Sequence, residues 1–227
     1  MTKPEVRSRI EEIGLIPCIH VSSPEDAAYA TQELANAGIP IVELTMIVPG
    51  ALDLLAGLVR DHPQVIVGAG ELMDSATTRR CLEAGAQFLT GPGLELGSAD
   101  FAGQTSAVII PGALTPTEVM RAWGAGCDFV KIFPCAQVGG AHYIHALKAP
   151  FPKIPLIASG GVNQETAGDF IRAGATALGI GEALIPHESI PLRQTHRIRE
   201  LARRFLSIVK HARAEKPHRK EAGHPAP

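Results

Sequence analysis

One pattern recurs along the chain in NAGIPIVELT (36–45), EAGAQFLTGP (83–92), GAGCDFVKIFP (124–134) and RAGATALGIG (172–181). Each stretch begins where a helical segment ends at Ala-Gly, and after a short turn it continues into a run of mainly apolar residues. Glycine suits the left-handed backbone with which many helices end. The apolar runs are continuous rather than alternating, which is typical of parallel strands buried on both faces. The pattern therefore predicts a repeated helix–turn–strand unit.

Further apolar runs lie between these stretches, and together they predict eight strands at 15–20, 40–46, 65–69, 87–91, 107–111, 129–133, 154–158 and 177–181. Ser23-Pro24, Asp74 and Thr115-Pro116 are typical first residues of the intervening helices. Strict alternation of strand and helix indicates an α/β protein, either a closed (β/α)8 TIM barrel or an open doubly wound sheet. No G-x-G-x-x-G motif follows the first strand, and eight units favour the barrel. We expect a single barrel domain over residues 1–208.

Composition excludes several classes of protein. The 227 residues are 45% hydrophobic and 19% charged with a net charge of −2, unlike a disordered chain or a general nucleic-acid binder. No apolar run reaches the ~18 residues of a membrane span, and the N-terminus lacks the apolar core of a signal peptide. The four cysteines show no metal or disulfide spacing, so we expect a cytoplasmic protein with reduced thiols. Residues 209–227 are rich in charge, His and Pro, and predict a disordered tail.

Two charged residues interrupt the predicted strands, Lys131 in DFVKIFP and Glu43 in IPIVELTM. Strand alternation places Lys131 on one face with Phe129 and Phe133, and we expect this face to point into the barrel. Burial disfavours a charged ammonium, and the neutral amine is the form that attacks carbonyl groups. A buried carboxylate such as Glu43 can move protons. The alternative is a structural pair in which Glu43 neutralises Lys131.

Two glycine-rich turns follow the last two predicted strands. Gly160 and Gly161 lie in SGGVN, and Gly181 precedes Glu182 in GIGE. In TIM barrels these two loops often bind an anion through backbone N–H groups. The alternative is that glycine is present only because the turns are tight.

The stretches GIPIVELT, VIVGAG, AGAQFLTGPG, IIPGALTPTE, FVKIFP, ALKAPFP, IASGGVN and GIGEALI, in this order, carry a resemblance over roughly residues 10 to 208. The sequence resembles the class I aldolases of the 2-keto-3-deoxy-6-phosphogluconate (KDPG) and 4-hydroxy-2-oxoglutarate (KHG) type. The resemblance implies a barrel that is commonly a homotrimer. It further implies a Schiff base at Lys131 beside Phe133, proton transfer by Glu43, a pyruvate pocket at Pro92 and a phosphate loop at Gly160 and Gly161.

Three departures from the family pattern concern substrate recognition. Glu71 stands where the family has Thr or Ser after G-A-G, and Glu182 stands where a serine contacts phosphate. The two positions that supply an arginine in family members hold Ile47 and His20. Each departure removes a donor for an anion or adds a carboxylate, which indicates recognition altered from the phosphorylated sugar acid. His20, Glu71 and Glu182 join the predicted substrate-binding residues.

We therefore expect a lyase that cleaves a 2-keto-3-deoxy or 4-hydroxy-2-keto acid to pyruvate and an aldehyde, without metal or cofactor and without a nucleic-acid or membrane partner. Two alternatives keep the imine at Lys131: an enzyme selective for a neutral or cationic substrate, and a keto-acid decarboxylase. A third is a non-catalytic barrel that binds a small ligand or a protein partner. A metal-dependent variant using His20, Glu71 and Glu182 has no ligand spacing to support it.

Overall fold

The structure is a computed structural model, and it describes residues 1–94 and 105–215. The strands in these ranges are β1 (Leu15–Ile19), β2 (Ile41–Thr45), β3 (Ile66–Gly70), β4 (Phe88–Thr90), β5 (Val108–Ile110), β6 (Gly112–Ala113), β7 (Val130–Ile132), β8 (Leu156–Ser159) and β9 (Ala177–Ile180).

The α-helices in the same ranges are α1 (Lys3–Ile13), α2 (Pro24–Asn36), α3 (Ala51–Asp61), α4 (Ser75–Glu83), α5 (Pro116–Gly124), α6 (Gly140–Lys148), α7 (Ala167–Arg172) and α8 (Thr195–Ala214). Short 3₁₀ turns lie at Ala136–Val138 and His187–Ser189. Nothing among these helices has the length and apolar content needed to cross a membrane.

The strands form one parallel sheet in the order β5-β4-β3-β2-β1-β9-β8-β7-β6. Its two outer strands, β5 and β6, are separated only by Pro111 and are consecutive pieces of one extended segment, so the sheet returns on itself as a barrel. Proline has no amide hydrogen to donate to a ladder. The carbonyl of Pro111 still accepts from the amide of Lys131 at 2.9 Å, which links this segment to β7. The predicted single-domain (β/α)8 barrel is confirmed, with the fifth predicted strand split in two.

The predicted helix starts are also present. The side chains of Ser23 and Asp74 accept hydrogen bonds from the third residue of α2 and α4, at 3.2 and 2.7 Å. Thr115 and Glu118 form a reciprocal capping box at the start of α5, with the Thr115 amide 2.7 Å from the Glu118 carboxylate. These side chains satisfy backbone N–H groups that have no partner within the helix.

Helix α1 lies across the amino ends of the strands. Its apolar face, formed by Val6, Ile10 and Ile13, is buried. Its polar face reaches the residues just before β7, because Lys3 pairs with Asp128 and the Arg7 guanidinium lies 5.6 Å from the centre of the Phe129 ring. The helix therefore closes this end of the barrel, which leaves the carboxyl end for a binding site.

The final helix extends past the predicted end of the domain. Helix α8 continues to Ala214, so the prediction of a disordered tail from residue 209 is wrong for residues 209–214. The helical spacing of apolar residues continues through Val209 and Ala212, and both are buried. The rest of the predicted tail, residues 216–227, lies outside the described residues.

Candidate active site

A cavity of about 560 Å³ opens at the carboxyl end of the barrel. Nine of the ten residues predicted for the site line it: His20, Glu43, Glu71, Lys131, Phe133, Gly160, Gly161, Gly181 and Glu182. They come from six strands or the loops that directly follow them, and the carboxyl ends of barrel strands are where TIM-barrel sites form. The barrel thus brings together residues that lie up to 162 positions apart in the chain.

Lys131 lies in the middle of β7 and is only 5% exposed. Its side chain lines the cavity, as strand alternation leads one to expect, and its Nζ lies 5.5 Å from the centre of the Phe133 ring. Within the described part of the chain, Nζ has neither a hydrogen bond nor an ion pair. Lysine is rarely buried without a partner. This amine is therefore placed to react with a molecule in the cavity.

Glu43 lies in β2 and is also 5% exposed. Cys18, its register partner in β1, donates a hydrogen bond from Sγ to Oε1 at 3.3 Å. A Cβ on Gly70 would overlap the Glu43 carboxylate, so the last glycine of G-A-G provides the space that the side chain occupies. Glu43 forms no direct ion pair with Lys131, so the alternative of a neutralising contact has no support in these described residues.

Cys18 is a residue of the cavity that the sequence analysis does not single out. Burial, and secondly the neighbouring Glu43 carboxylate, raise the pKa of its thiol well above the ordinary value. The thiol therefore stays protonated near neutral pH and remains a donor to Glu43. Strand alternation carries a signal for this position, because Cys18 shares a face with Ile16 and His20 and all three line the cavity.

The mouth of the cavity carries two carboxylates. Glu71 directly follows β3 with a φ of 58°, a backbone conformation that residues other than glycine adopt uncommonly. Glu182 follows β9 and is exposed. His20 makes an edge contact with the His187 ring at 6.1 Å between centroids, and it forms no ion pair with either carboxylate among the described residues. Within the described part of the chain, no ion pair with His20 holds either carboxylate, and both line the cavity.

Gly160 and Gly161 form the turn after β8, with φ values of 84° and 80°. A Cβ on Gly160 would lie 2.9 Å from the Cα of Pro134, and one on Gly161 would overlap Ala136. Glycine is therefore required here by backbone conformation and close packing. Both residues also line the cavity, so the requirement for a tight turn and a binding role are compatible.

Pro92 is the one predicted site residue that does not line this cavity. Its carbonyl group lies against Gly112, at the place where a side chain on that residue would be. Ile47, which stands at a family arginine position, is 59% exposed and is likewise not a lining residue. Neither position therefore supplies a group to the cavity wall.

Thr90, at the end of β4, is a second lining residue that the sequence analysis does not single out. Its hydroxyl is buried and has no hydrogen-bond partner. In the ranges 1–94 and 105–215, no group of three or more His, Cys, Asp or Glu side chains is arranged to hold a metal ion. The side-chain chemistry available in the described part of the cavity is that of an amine, three carboxylates, an imidazole, a thiol, the Asn163 amide and hydroxyls.

Comparison with known proteins identifies a matching family and several similar chains. A family model described as "Aldolase: KDPG and KHG aldolase" matches residues 6–201. The KHG/KDPG aldolase of Escherichia coli K12 is 28% identical over 196 residues, which cover 86% of this chain and 92% of the relative. The 2-dehydro-3-deoxy-phosphogluconate aldolase of Treponema pallidum is 26% identical over 200 residues, covering 88% and 95%.

Among solved structures, a crystal structure of KDPG aldolase from Legionella pneumophila superimposes with a TM-score of 0.82 at 26% identity. The match covers 87% of this chain and 96% of that one. That structure has pyruvate captured at low pH as a covalent carbinolamine intermediate.

Proposed function

The chain belongs to the KDPG and KHG aldolase family and is an aldolase, and we propose that it works through a Schiff base at Lys131. In this proposal the enzyme cleaves a 2-keto-3-deoxy or 4-hydroxy-2-keto acid to pyruvate and an aldehyde. The observation that carries it is the buried Lys131 amine, which lines the cavity without a partner among the described residues. A carbinolamine such as that of the Legionella enzyme forms when an amine adds to a ketone, and Lys131 is the lysine of this cavity.

The proposed reaction begins when the neutral Lys131 amine adds to the C2 carbonyl of the keto acid. The carbinolamine loses water and becomes an iminium ion, which can accept an electron pair. Glu43 removes the proton of the C4 hydroxyl, and the C3–C4 bond breaks. Its electron pair moves into an enamine between C2 and C3, and the aldehyde leaves. The enamine is then protonated at C3 by Glu43, and water hydrolyses the imine to release pyruvate.

We propose that the substrate is unphosphorylated. Three carboxylates line the cavity, Glu43, Glu71 and Glu182, whereas the described lining contains one lysine and no arginine. Two like charges about 4 Å apart repel by roughly 1 kcal/mol in water and about 4 kcal/mol at an effective dielectric constant of 20. A phosphate beside Glu182 would meet this repulsion, although the turn at Gly160 and Gly161 still offers backbone N–H groups. A neutral polyol end would meet no such penalty.

Borohydride reduction in the presence of pyruvate tests the mechanism. We expect a stable adduct on the Lys131 peptide, detected by mass spectrometry, and no adduct on that site in Lys131→Met. Lys153→Met is the matched control, because Lys153 is an exposed lysine away from the cavity and its loss should leave trapping unchanged. An unmodified Lys131 in the wild-type protein, or equal trapping by Lys131→Met, refutes the Schiff-base proposal.

A substrate panel tests the proposed specificity. We expect a higher kcat/KM for unphosphorylated 2-keto-3-deoxygluconate than for its 6-phosphate, and Glu182→Ser should raise kcat/KM for the phosphate by about tenfold, the equivalent of about 1.4 kcal/mol. A strong preference of the wild-type enzyme for the phosphate contradicts the assignment. Retro-aldol turnover of any panel member argues against a non-catalytic barrel, and turnover confined to loss of CO2 would favour the decarboxylase.

We also propose a cytoplasmic homotrimer. The four cysteines are free, which suits a reducing compartment, and the trimer is what the family resemblance implies. Sedimentation equilibrium tests the oligomer, with three times the 24.0 kDa chain mass as the expected result.

A further inference from the structure

Four buried hydroxyl groups in the described ranges lack a hydrogen-bond partner, those of Thr31, Thr45, Thr90 and Ser189. Thr90 differs from the other three because it lines the active-site cavity. It is 2% exposed and ends strand β4, next to Gly70 of β3 on one side and Ile110 of β5 on the other. A buried polar group without a partner destabilises a folded protein, and such groups call for an explanation.

No acceptor in residues 1–94 or 105–215 holds the Thr90 side chain in one rotamer. Rotation about χ1 exchanges the positions of the hydroxyl and methyl groups of threonine, and the staggered rotamers are discrete alternatives. A ligand with an acceptor atom can therefore gain a hydrogen bond from Thr90 without breaking one within the protein. This makes the hydroxyl a donor that is available only to an occupant of the cavity.

The keto acid of the proposed reaction brings an acceptor to this part of the barrel. Its carboxylate is attached to C2, the carbon that Lys131 attacks. Thr90 pairs with Ile110 and Lys131 pairs with Gly112, so the two residues flank the same barrel segment two positions apart. Glu71, on the loop after β3, supplies no donor when ionised, and the described lining has no arginine.

We infer that Thr90 is a substrate-binding residue whose Oγ1 donates a hydrogen bond to the carboxylate of the keto acid held at Lys131. This inference rests on the proposed Schiff-base function. The hydroxyl contributes to binding in both the ground state and the transition state, because the carboxylate takes no part in bond cleavage. Its removal therefore raises KM more than it lowers kcat.

The experiment compares Thr90→Val, which removes the hydroxyl at nearly constant shape, with Thr90→Ser, which keeps it. Thr45→Val is the matched control, since Thr45 is a buried threonine of β2 with an unpartnered hydroxyl that does not line the cavity. Each protein is assayed for thermal stability without ligand and for borohydride trapping of pyruvate over a range of concentrations. Acetone, which lacks a carboxylate, is trapped in parallel, and KM and kcat are measured with the best panel substrate.

For Thr90→Val we expect an unchanged or higher Tm, about a tenfold higher pyruvate concentration for half-maximal trapping, and unchanged trapping of acetone. Thr90→Ser should stay within about threefold of wild type for pyruvate, and Thr45→Val should match wild type in both assays. Equal pyruvate trapping by Thr90→Val and wild type overturns the inference, and so does a lower Tm or failure to fold, which would show a structural role. Absence of any adduct in the wild-type enzyme is different, because it refutes the Schiff-base function itself.

Discussion

The two ends of the barrel differ in whether their buried polar groups have hydrogen-bond or ion-pair partners. At the amino end, which α1 closes, the Asp128 carboxylate accepts from the Ile109 amide at 2.8 Å and pairs with Lys3 at 3.0 Å. Arg213, at the end of α8, donates to three backbone carbonyls that α1 and the residue before β9 provide. Asp128, which is buried, and Arg213, which is half-buried, therefore both have partners that hold elements together.

At the carboxyl end, the buried polar groups of the cavity have weak partners or none among the described residues. Lys131 and the Thr90 hydroxyl have no partner in the described part of the chain, and Glu43 accepts only the weak hydrogen bond of a thiol. Unpaired buried groups destabilise a fold, and at this end of the barrel a ligand in the cavity can supply the missing partner. The comparison teaches that hydrogen-bond satisfaction separates the stabilising end of this barrel from its reactive end, although charged residues occur at both.

The largest expected effect is on catalysis at the open end. Glu43→Gln should lower kcat by about 10²–10⁴, because the amide cannot exchange a proton with the C4 hydroxyl. Its free energy of unfolding should stay close to that of the wild type, since the carboxylate forms no ion pair with any residue that the structure describes. Steady-state turnover and urea unfolding of the same preparation measure both quantities. A destabilised variant with normal kcat would show that Glu43 is structural and would break the comparison.

The opposite result is expected at the closed end. Asp128→Ala should lower the free energy of unfolding by about 1.5–3 kcal/mol, because it leaves the Ile109 amide without its charged acceptor. Turnover should be unchanged at temperatures where the variant is folded. Lys3→Met is the milder control, with a loss of about 1 kcal/mol or less for a partly exposed ion pair. A large loss of kcat in folded Asp128→Ala would contradict the division between the ends.

Replacing a long cationic side chain by methionine at each end of the barrel sharpens the comparison. Lys131→Met should leave the free energy of unfolding unchanged or raise it by up to about 1 kcal/mol, because it replaces an unpartnered buried amine by an apolar group. Arg213→Met should lower it by about 1–1.5 kcal/mol, because three carbonyls lose their donor. Urea unfolding curves of the two variants test the difference. Equal destabilisation would mean that Lys131 also holds the fold together.

The last expected effect is absent near neutral pH and is a pH dependence at the closed end. Burial, with a smaller contribution from Asp128, raises the pKa of the Cys127 thiol to about 12. An unfolded thiol loses its proton near about pH 8.5. From there to about pH 12 the unfolded chain binds fewer protons than the folded chain, so stability falls as pH rises; below that window the contribution is constant.

Cys127→Ala should therefore flatten the alkaline decline in stability by up to about 1.4 kcal/mol per pH unit. The measurement is the free energy of unfolding of both proteins from pH 8 to about pH 10.5. Other titrating groups are common to the two proteins, so the difference in slope reports Cys127 alone. Parallel curves would be the contrary outcome.

Much of the fold follows from local pattern. All eight predicted strands are present. A short continuous apolar run that follows a helix ending in glycine is typical of a parallel strand buried on both faces. The break at Pro111 is a consequence of the missing amide hydrogen, which the position of the proline already signals. The predicted start of the tail at residue 209 is too early, because charged residues on the outer face of α8 mask the buried spacing of Val209 and Ala212.

The residues of the site also divide into those that sequence patterns predict and those that depend on tertiary contacts. Nine predicted residues line the cavity, since strand alternation and position at a strand end are properties of the sequence. Pro92 was assigned by resemblance, and its surroundings depend on how the loop after β4 packs against Gly112. Cys18 and Thr90 were not singled out, because neither residue type is unusual in a strand. Cys18 is distinguished by its hydrogen bond to Glu43, and Thr90 by a hydroxyl that has no hydrogen-bond partner among the described residues.

The sequence by itself indicated that this chain forms a barrel and that Lys131 turns towards its interior. Both conclusions rest on the periods of helix and strand, which act over a few residues. Only the tertiary structure decided which buried polar groups have partners. Asp128 pairs with Lys3 of the first helix, and Glu43 accepts a hydrogen bond from Cys18 of the neighbouring strand β1. The Thr90 hydroxyl has no partner among the described residues. Hydrogen bonds depend on distances of a few tenths of an ångström between elements far apart in sequence, and those distances exist only once the barrel has closed.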